Sequence, residues 1–244
     1  MNLYIITGTT KGLGHALSKI ALENQHMVLS LSRKKTILHD NFHHLNCDLS
    51  KTALIEKKIT SYISKLNLKK IKSIHLINNA AMISPIGSLS DFSLSDIQAH
   101  INTIMLSPMI LTSVVLRIFK RKKVPKTITF ISSGAGLRPI ANWSLYCSAK
   151  SGLRMFAECL EAEYEKDLFV KFLDFSPGVM DTDMQKTIRS QSSASFGRVS
   201  DFIELKEKNL LLSSQEVAST LMDLLKDPSN LDKTHYDIKD FIKK

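Results

Sequence analysis

A tyrosine and a lysine four residues apart form the pair with the clearest chemical potential in the chain. Tyr146 and Lys150 lie in a segment of helical period, so both side chains share one helix face. A nearby ammonium favours the phenolate, and we expect it to lower the tyrosine pKa from about 10 towards neutrality. Ser133 follows an apolar run and can face the same cleft. This pattern predicts proton transfer to or from a substrate oxygen that the Ser133 hydroxyl also binds.

A glycine-rich turn near the N-terminus is the second chemical feature. Glycines between a strand and a helix let the backbone approach a pyrophosphate, whose charge the amides and the helix dipole stabilise. The spacing here is GxxxGxG rather than GxGxxG, and a glycine cluster also occurs in ordinary turns. The strand–turn–helix context favours a phosphate cradle made of Gly8, Thr10, Lys11, Gly12, Leu13 and Gly14.

The residues after the second predicted strand indicate which nucleotide the cradle binds. An Asp or Glu at this position would accept hydrogen bonds from the 2′-hydroxyl of NAD, whereas this chain has Ser32-Arg33-Lys34-Lys35. A carboxylate would repel a 2′-phosphate, and a guanidinium can bind it bidentately. We therefore predict NADP(H), with Arg33 as the main contact, Ser32 as a hydroxyl donor and Lys11 as additional charge.

Two further polar segments fit a dinucleotide site, each with a structural alternative. Asp48, followed by Leu49, can accept a hydrogen bond from the adenine amino group, or it can simply cap a helix. Asn79, Ala80 and Ala81 follow the third predicted strand, where small residues would let a cofactor lie against the backbone. The alternative for this segment is a polar turn.

Alternating strands and helices must position these residues. The predicted strands are short runs rich in β-branched residues: Leu3–Thr7, Met27–Leu31, Ile74–Ile77, Thr127–Ile131, Val170–Phe175 and a short final strand near His235–Ile238. The predicted helices are Leu13–Asn24, Lys51–Lys65, Ser95–Phe119, Ser144–Glu165 and Ser214–Lys226, with Pro108 as a kink or break in the third. The alternation predicts an α/β fold, a Rossmann-like doubly wound parallel sheet of three layers and roughly seven strands. We expect one domain over residues 1–244, with a cofactor-binding and catalytic core over 1–185, and ligands at the carboxyl ends of the strands.

Composition limits the remaining possibilities. A net charge of +10 is compatible with nucleic acid, anionic lipid or a phosphorylated ligand, and equally with a solvated basic face. The basic clusters are Arg117, Lys120, Arg121, Lys122, Lys123 and Lys126 in the middle of the chain, and Lys239, Lys243 and Lys244 at its end. The three cysteines form neither a disulfide framework nor a metal site, and the N-terminus lacks a secretory signal pattern. Because Ile101–Phe119 contains many polar residues, we expect no membrane span. The cysteine pattern and the missing signal pattern lead us to expect a cytoplasmic protein.

Taken together, the motifs resemble the short-chain dehydrogenase/reductase family across nearly the whole chain. The resemblance rests on the glycine turn, Asp48, Asn78-Asn79-Ala80, Asn102, Ser133, Tyr146-x-x-x-Lys150 and Pro177-Gly178. Closer similarity is to its sepiapterin reductase and bacterial benzil reductase branch, from Leu76–Ala80, Ser107–Leu111, Asp181–Gln185 and Leu205–Glu207. Ala81 departs from the family, which usually has glycine there.

The resemblance implies a carbonyl reductase that uses NADPH. Tyr146 would protonate the developing alkoxide, Ser133 would polarise the carbonyl, and Lys150 would hold the nicotinamide ribose. Asn102 would order a water that connects Lys150 to solvent. The stretch from Pro177 through Gly178 and Val179 to Thr182 would flank the nicotinamide, with Thr182 touching its carboxamide or the pyrophosphate. The long third and fourth helices resemble those that pair between subunits, which implies a homodimer or homotetramer.

The substrate follows less directly. Trp143 can wall an apolar pocket for an aromatic ketone or simply pack, and Met184 is a further expected contact. Asp237 matches the aspartate that anchors a pterin in sepiapterin reductases, or is an exposed strand-end residue. The Ser-rich Ser190–Gly197 region, within 186–213, is expected to form a mobile substrate lid.

Two other function classes remain to be weighed. A non-catalytic NADP(H) sensor would keep the cradle and lose the proton-transfer residues, whereas this chain has the complete set. A nucleic-acid binder is indicated only by the charge, because no helix-turn-helix, zinc or aromatic RNA-binding pattern is visible.

Overall fold

A seven-stranded parallel sheet forms the centre of the molecule. The computed structural model describes residues 1–242, so Lys243 and Lys244 of the basic C-terminal group lie outside the described residues. The strands are β1 Leu3–Thr7, β2 Met27–Ser32, β3 Phe42–Asn46, β4 Ile74–Asn78, β5 Lys126–Ile131, β6 Val170–Ser176 and β7 His235–Asp237. They follow the order β3-β2-β1-β4-β5-β6-β7, and every neighbouring pair is parallel. The predicted doubly wound sheet is confirmed.

Only β3 was missing from the predicted strands. Its sequence, Phe-His-His-Leu-Asn, is mostly half-buried and contains no β-branched residue. It therefore carries no strong strand signal of its own. Pairing with β2, from Val28 opposite Phe42 to Ser32 opposite Asn46, makes it an edge strand.

Helices cover both faces of the sheet. Among residues 1–242 the α-helices are α1 Gly12–Glu23, α2 Ile55–Ile63, α3 Leu94–Ile101, α4 Ser107–Ile118, α5 Ser144–Glu163, α6 Asp183–Arg189, α7 Val199–Glu207 and α8 Ser214–Lys226. Helices α1 and α8 pack with one set of strand side chains, including Tyr4 and Ile6. Helices α2, α4 and α5 pack with the opposite set, including Leu3 and Ile5. Alternate strand residues thus fill two separate cores, which is why these strands are apolar throughout.

The long third helix is interrupted directly before Pro108. A π-helical segment, Asn102–Leu106, joins α3 to α4, and Pro108, in the first turn of α4, has no amide hydrogen to donate into the preceding turn. The Ser107 hydroxyl donates to Thr103 O at 3.0 Å in that turn. The run Leu94–Ile118 is long and apolar enough to pass a membrane-span test by length and composition, since an 18-residue window within it has a mean hydropathy of 1.6. Leu111 and Val115 are nevertheless fully buried in the core beneath the sheet. A core helix passes the same test.

Helices α6 and α7 lie on either side of the Ser-rich segment Ser190–Gly197. They contact each other and flank the Ser-rich segment that was expected to be a mobile lid. Each is short, seven and nine residues, so neither has enough turns for a strong helical period in the sequence.

Candidate active site

The carboxyl ends of the strands open onto one cleft of about 1200 Å³. It lies where the strand order reverses between β1 and β4, the position at which doubly wound sheets bind ligands. Most of the predicted site residues line it: Gly8, Thr10, Lys11, Gly12, Leu13, Ser32, Arg33, Asp48, Leu49, Asn79, Ala80, Ala81, Ser133, Trp143, Tyr146, Lys150, Pro177, Gly178, Val179, Thr182, Met184 and Asp237. Gly14 and Asn102 are not among the lining residues.

The glycine turn has the backbone shape that its sequence predicted. Gly8 and Gly12 have φ of +72° and +58°, in the left-handed region that favours glycine. Asn79 holds the turn from below, because its Nδ2 donates to Thr7 O at 2.8 Å and to Gly8 O at 3.2 Å. This amide therefore supports the cradle rather than forming an ordinary polar turn.

Gly14 allows the turn to close because it has no side chain. A Cβ added there would lie 2.4 Å from Gly8 O and 2.5 Å from Asn79 Nδ2, so no side chain fits. That Gly14 contacts the cofactor directly stays a prediction; in the structure Gly14 packs the first turn of α1 against the turn that follows β1 and keeps the cradle closed.

The start of α1 is joined to α6 by an ion pair. Lys11 Nζ lies 2.6 Å from the Asp183 carboxylate, and this hydrogen bond holds the pKa of Asp183 below its ordinary value. Lys11 was expected to contribute charge to a 2′-phosphate, whereas in the structure its ammonium is paired with Asp183 and links the start of α1 to the start of α6 across the cleft.

At the end of β2, Arg33 and Ser32 differ in whether their side chains are free to donate a hydrogen bond to a ligand. The Arg33 side chain is exposed on the cleft and forms no ion pair with any residue in 1–242. Ser32 is 5% exposed, and its hydroxyl donates to Lys34 O at 2.9 Å and lies 3.2 Å from Ser30 Oγ. Arg33 is thus the free donor at this position, whereas the Ser32 hydroxyl is already bonded.

Asp48 combines the two roles considered for it. Its Oδ1 accepts hydrogen bonds from the Ser50 amide and hydroxyl, at 3.1 and 2.8 Å, as in a turn before a helix. The Ser50 hydroxyl is the main cause that lowers the pKa of Asp48, with a smaller contribution from Arg33. The carboxylate also lines the cleft beside Leu49, so it is ionised and partly available.

Tyr146 and Lys150 are both buried at the cleft. Lys150 Nζ lies 5.7 Å from the centre of the Tyr146 ring and donates to Ile131 O at 2.6 Å, which anchors α5 to the end of β5. Ser133 follows β5, and its hydroxyl accepts from the Ala135 amide at 3.2 Å. The three side chains line one cavity, as their spacing predicted.

The direction of the tyrosine shift differs from the expectation. Burial raises the pKa of Tyr146 to about 12, and a hydrogen bond with Ser133 only partly opposes this rise. Burial also lowers the pKa of Lys150 to about 8, against the attraction of Asp174. Loss of solvent is thus the largest influence on the Tyr146 pKa, and Tyr146 is a neutral phenol at pH 7.

Asn102 begins the π-helical segment and is not among the residues that line the cleft. Its Nδ2 donates to Ser50 O at 2.9 Å, tying this helix to the loop after β3. Thr103, the next residue in the chain, does line the cleft.

An aromatic cluster that the sequence reading missed lies beside Tyr146. Trp143 stacks on Phe196, with ring centres 4.8 Å apart and planes 6° apart, and lies 5.5 Å from Phe202. Its edge meets Tyr146 at 5.7 Å. Phe196, an aromatic residue inside a Ser-rich stretch, was the available signal. Met184 and Asp237 also line the cleft, and Asp237 Oδ1 accepts from the Lys239 amide at 3.0 Å.

Comparisons with known proteins agree with this geometry. A family model described as short chain dehydrogenase matches residues 2–193. Benzil reductase ((S)-benzoin forming) of Bacillus subtilis (strain 168) is 38% identical over 244 residues, covering 99% of this chain and 100% of that protein. Sepiapterin reductase of Xenopus tropicalis is 31% identical over 179 residues, covering 72% and 67%.

Solved structures show the same fold. A short-chain dehydrogenase/reductase from Saccharomyces cerevisiae matches with a TM-score of 0.82 and 24% identity, over 100% of both chains. The family match covers most of the chain, and the residues expected from that resemblance converge on one cleft. The chain therefore belongs to the short-chain dehydrogenase family, near its benzil reductase and sepiapterin reductase members.

Proposed function

We propose that this protein is a carbonyl reductase that uses NADPH to reduce a ketone or diketone of the benzil or sepiapterin type. One observation carries the proposal: the buried Tyr146 ring lies 5.7 Å from Lys150 Nζ in the cleft that the glycine turn opens onto. The similarity to benzil reductases supports the substrate class. We also propose that the protein works in the cytoplasm.

The residues of the cleft fit a nicotinamide dinucleotide. The turn at Gly8 and Gly12 leaves the backbone open to a pyrophosphate, and a Cβ at Gly12 would meet only Thr182 Cγ2, at 3.6 Å, and Ser214 Oγ, at 4.0 Å. Arg33 supports NADP(H) over NAD(H), because a 2′-phosphate would supply the anionic partner that its guanidinium lacks among residues 1–242. When bound, a nicotinamide supplies the hydride that reduces the carbonyl carbon.

Each catalytic side chain then has one task. Ser133 binds and polarises the carbonyl oxygen, and Tyr146 transfers its proton to that oxygen as the alcohol forms. Lys150 holds the nicotinamide ribose and stabilises the phenolate that remains. Asn102 does not line the cleft and its Nδ2 is bonded to Ser50 O, so we propose that its side-chain oxygen orders the water that connects Lys150 to solvent. Thr182, at the start of α6, contacts the carboxamide or the pyrophosphate.

The proton-transfer role is tested by Tyr146→Phe. We expect purified wild-type protein to oxidise NADPH with benzil or sepiapterin. The variant should lose about 10²–10⁴-fold in turnover and still bind NADPH, because the phenyl ring keeps its packing on Trp143. Full activity in the variant would exclude Tyr146 as the proton donor.

A non-catalytic NADP(H) sensor is the alternative function. It would bind NADPH with Arg33 and the glycine turn and turn over no carbonyl compound. The complete set of Tyr146, Lys150 and Ser133, which line one cleft with the glycine turn, favours the enzyme. A panel of dicarbonyls and pterins assayed with both cofactors distinguishes the two, and a pterin preference that is lost in Asp237→Asn would assign Asp237 as a substrate anchor.

A further inference from the structure

The amino ends of two neighbouring strands carry a concentrated group of basic side chains. Segment 64–73 leads into β4 and contains four lysines, and segment 119–125 leads into β5 and contains three lysines and an arginine. Neither segment contains an acidic residue, and all of these side chains except Lys122 are exposed. None of them forms an ion pair with a residue in 1–242. We name these two segments the basic edge.

The two segments touch, so their charges form one surface. Lys122 Nζ donates to Leu68 O at 2.8 Å, and the Ile74 amide donates to Pro125 O at 2.9 Å. Because β4 and β5 are parallel neighbours, both segments lie at the amino edge of the sheet, opposite to the cleft at its carboxyl edge. Among residues 1–242, the lining of that cleft includes none of these cations, so the NADP(H) site does not explain them.

An apolar loop adjoins the basic edge. Segment 164–169 leads into β6, and its Leu168 and Phe169 are 91% and 40% exposed. Phe169 O accepts from the Lys126 amide at 2.7 Å, and Lys126 Nζ in turn donates to Lys122 O at 2.8 Å. Two exposed apolar side chains thus lie beside a surface of exposed cations.

The acidic residues near this loop do not cancel the charge of the basic edge. Glu165 and Asp167 lie in segment 164–169 on either side of Lys166, and Glu163 ends α5 just before them. Asp167 Oδ1 accepts a hydrogen bond from the Phe169 amide at 2.9 Å. All of these carboxylates belong to one strand connection, so the two segments of the basic edge keep their full positive charge.

An anionic phospholipid surface is the partner that fits both features. Anionic headgroups attract clusters of lysine and arginine, and exposed apolar side chains enter the boundary between headgroups and acyl chains. Nucleic acid would match the charge, but it offers no apolar phase to a protruding leucine. The cytoplasmic leaflet of membranes carries such anionic lipids, in the compartment proposed for this protein.

We propose that the amino edge of the sheet binds the surface of anionic phospholipid membranes, with the basic edge against the headgroups and Leu168 and Phe169 at the boundary with the acyl chains. The protein lies on the membrane and does not span it. The cleft opens at the opposite edge of the sheet and faces the aqueous phase, so membrane binding is independent of the proposed function.

Co-sedimentation of the full chain with vesicles tests the contribution of charge. We expect the wild type to bind vesicles that contain about 30% phosphatidylserine and not vesicles of phosphatidylcholine alone. The triple variant Lys120→Gln, Arg121→Gln, Lys123→Gln should bind the anionic vesicles about 100-fold more weakly, because each exposed cation near the surface contributes separately. Equal binding of the wild type to both kinds of vesicle would overturn the proposal.

A second triple variant controls for net charge. Lys34→Gln, Lys35→Gln, Lys51→Gln removes the same charge from exposed positions in the loops after β2 and β3, at the carboxyl edge. It should bind the anionic vesicles almost as tightly as the wild type at physiological salt, since charges beyond a Debye length from the membrane are screened. Equal losses in the two triple variants would show that net charge, and not the basic edge, attracts the protein.

Leu168→Ser tests the apolar contact and separates lipid from nucleic acid. We expect it to weaken binding to the anionic vesicles about tenfold without unfolding the protein, because Leu168 has almost no contacts to lose. Leu38→Ser is the matched control, since Leu38 is also 91% exposed but lies in the loop after β2. If Leu168→Ser binds as tightly as the wild type, or if the wild type binds duplex DNA more tightly than anionic vesicles at the same salt, the lipid surface is the wrong partner.

Discussion

At the residue scale, Tyr146 and Lys150 respond to the same loss of solvent in opposite directions. Burial stabilises the neutral form of each, so the tyrosine pKa rises to about 12 and the lysine pKa falls to about 8. Near neutral pH the pair is therefore a neutral phenol beside an ammonium, and burial of this ammonium lowers the stability of the folded protein. This is the protonation state that reduction of a carbonyl requires.

Lys150→Met tests whether the catalytic ammonium costs stability. Between pH 8 and 10.5 the folded protein binds fewer protons than the unfolded chain at this residue, so the stability of the wild type rises with pH there. At pH 7, where the cost is complete, we expect the variant to be more stable by on the order of 1–3 kcal/mol, and inactive. Denaturant unfolding at pH 7 and 9.5 should show this advantage shrinking at the higher pH.

The exposed Lys166 provides the control for that comparison. Lys166→Met removes an equal charge without relieving burial, so its effect should stay within about 0.5 kcal/mol at both pH values. A Lys150→Met protein that is less stable than the wild type at pH 7 would show that the hydrogen bond to Ile131 O outweighs desolvation.

Arg33→Ala tests the choice between the two nicotinamide dinucleotides. Loss of a charge-assisted bond to phosphate should weaken NADPH binding about 10–100-fold and leave NADH binding nearly unchanged. Titrations with both cofactors measure this. Lys34→Ala is the matched control, because Lys34 is the adjacent exposed cation and is not among the residues that line the cleft. Equal losses for both cofactors would show that Arg33 does not contact the 2′-phosphate.

At the scale of elements, the cradle depends on how closely α1 approaches β1. Gly8 provides the positive φ, Gly14 provides the room, and Asn79 ties the turn to the end of β4. The Lys11–Asp183 ion pair then joins this turn to α6 across the cleft. Three segments distant in sequence thus form one binding surface.

Gly14→Ala tests the close approach. Helix propensity alone would favour alanine by about 1 kcal/mol, but the new Cβ would lie 2.4 Å from Gly8 O. We therefore expect a loss of about 1–3 kcal/mol in the free energy of unfolding, together with weaker NADPH binding. Gly197→Ala is the control, since a Cβ there would meet nothing within 4 Å. Stabilisation by Gly14→Ala would refute the packing role.

At the scale of the whole molecule, several apolar side chains remain exposed on the long helices. Leu94 and Leu106 on the α3–α4 run are 70% and 38% exposed, and Met155 on α5 is 58% exposed. We propose that these helices pair between subunits in a homodimer or homotetramer.

Sedimentation of the wild type and of Met155→Glu tests this assembly. The wild type should sediment as a dimer or tetramer, and a charge on α5 should shift it towards the monomer because it would have to be buried in the interface. Leu38→Glu changes a 91% exposed residue in the loop between β2 and β3 and should leave the assembly intact. A monomeric wild type would exclude the proposal.

Local pattern was enough for much of this protein. Six strands were predicted to within one residue, five of them because their apolar runs are continuous. The four-residue spacing brought Tyr146 and Lys150 to one helix face. Glycine spacing located the turn, since left-handed backbone is a property of the residue itself. These features depend on neighbours along the chain.

Tertiary structure decided what depends on neighbours in space. The direction of the Tyr146 pKa shift follows from how completely the fold removes solvent, and no spacing records that. The support role of Gly14, the stacking of Phe196 on Trp143 and the pairing of β3 each require segments that the sequence separates widely. The sequence by itself determined which groups are present and in which elements; packing determined their protonation and their partners.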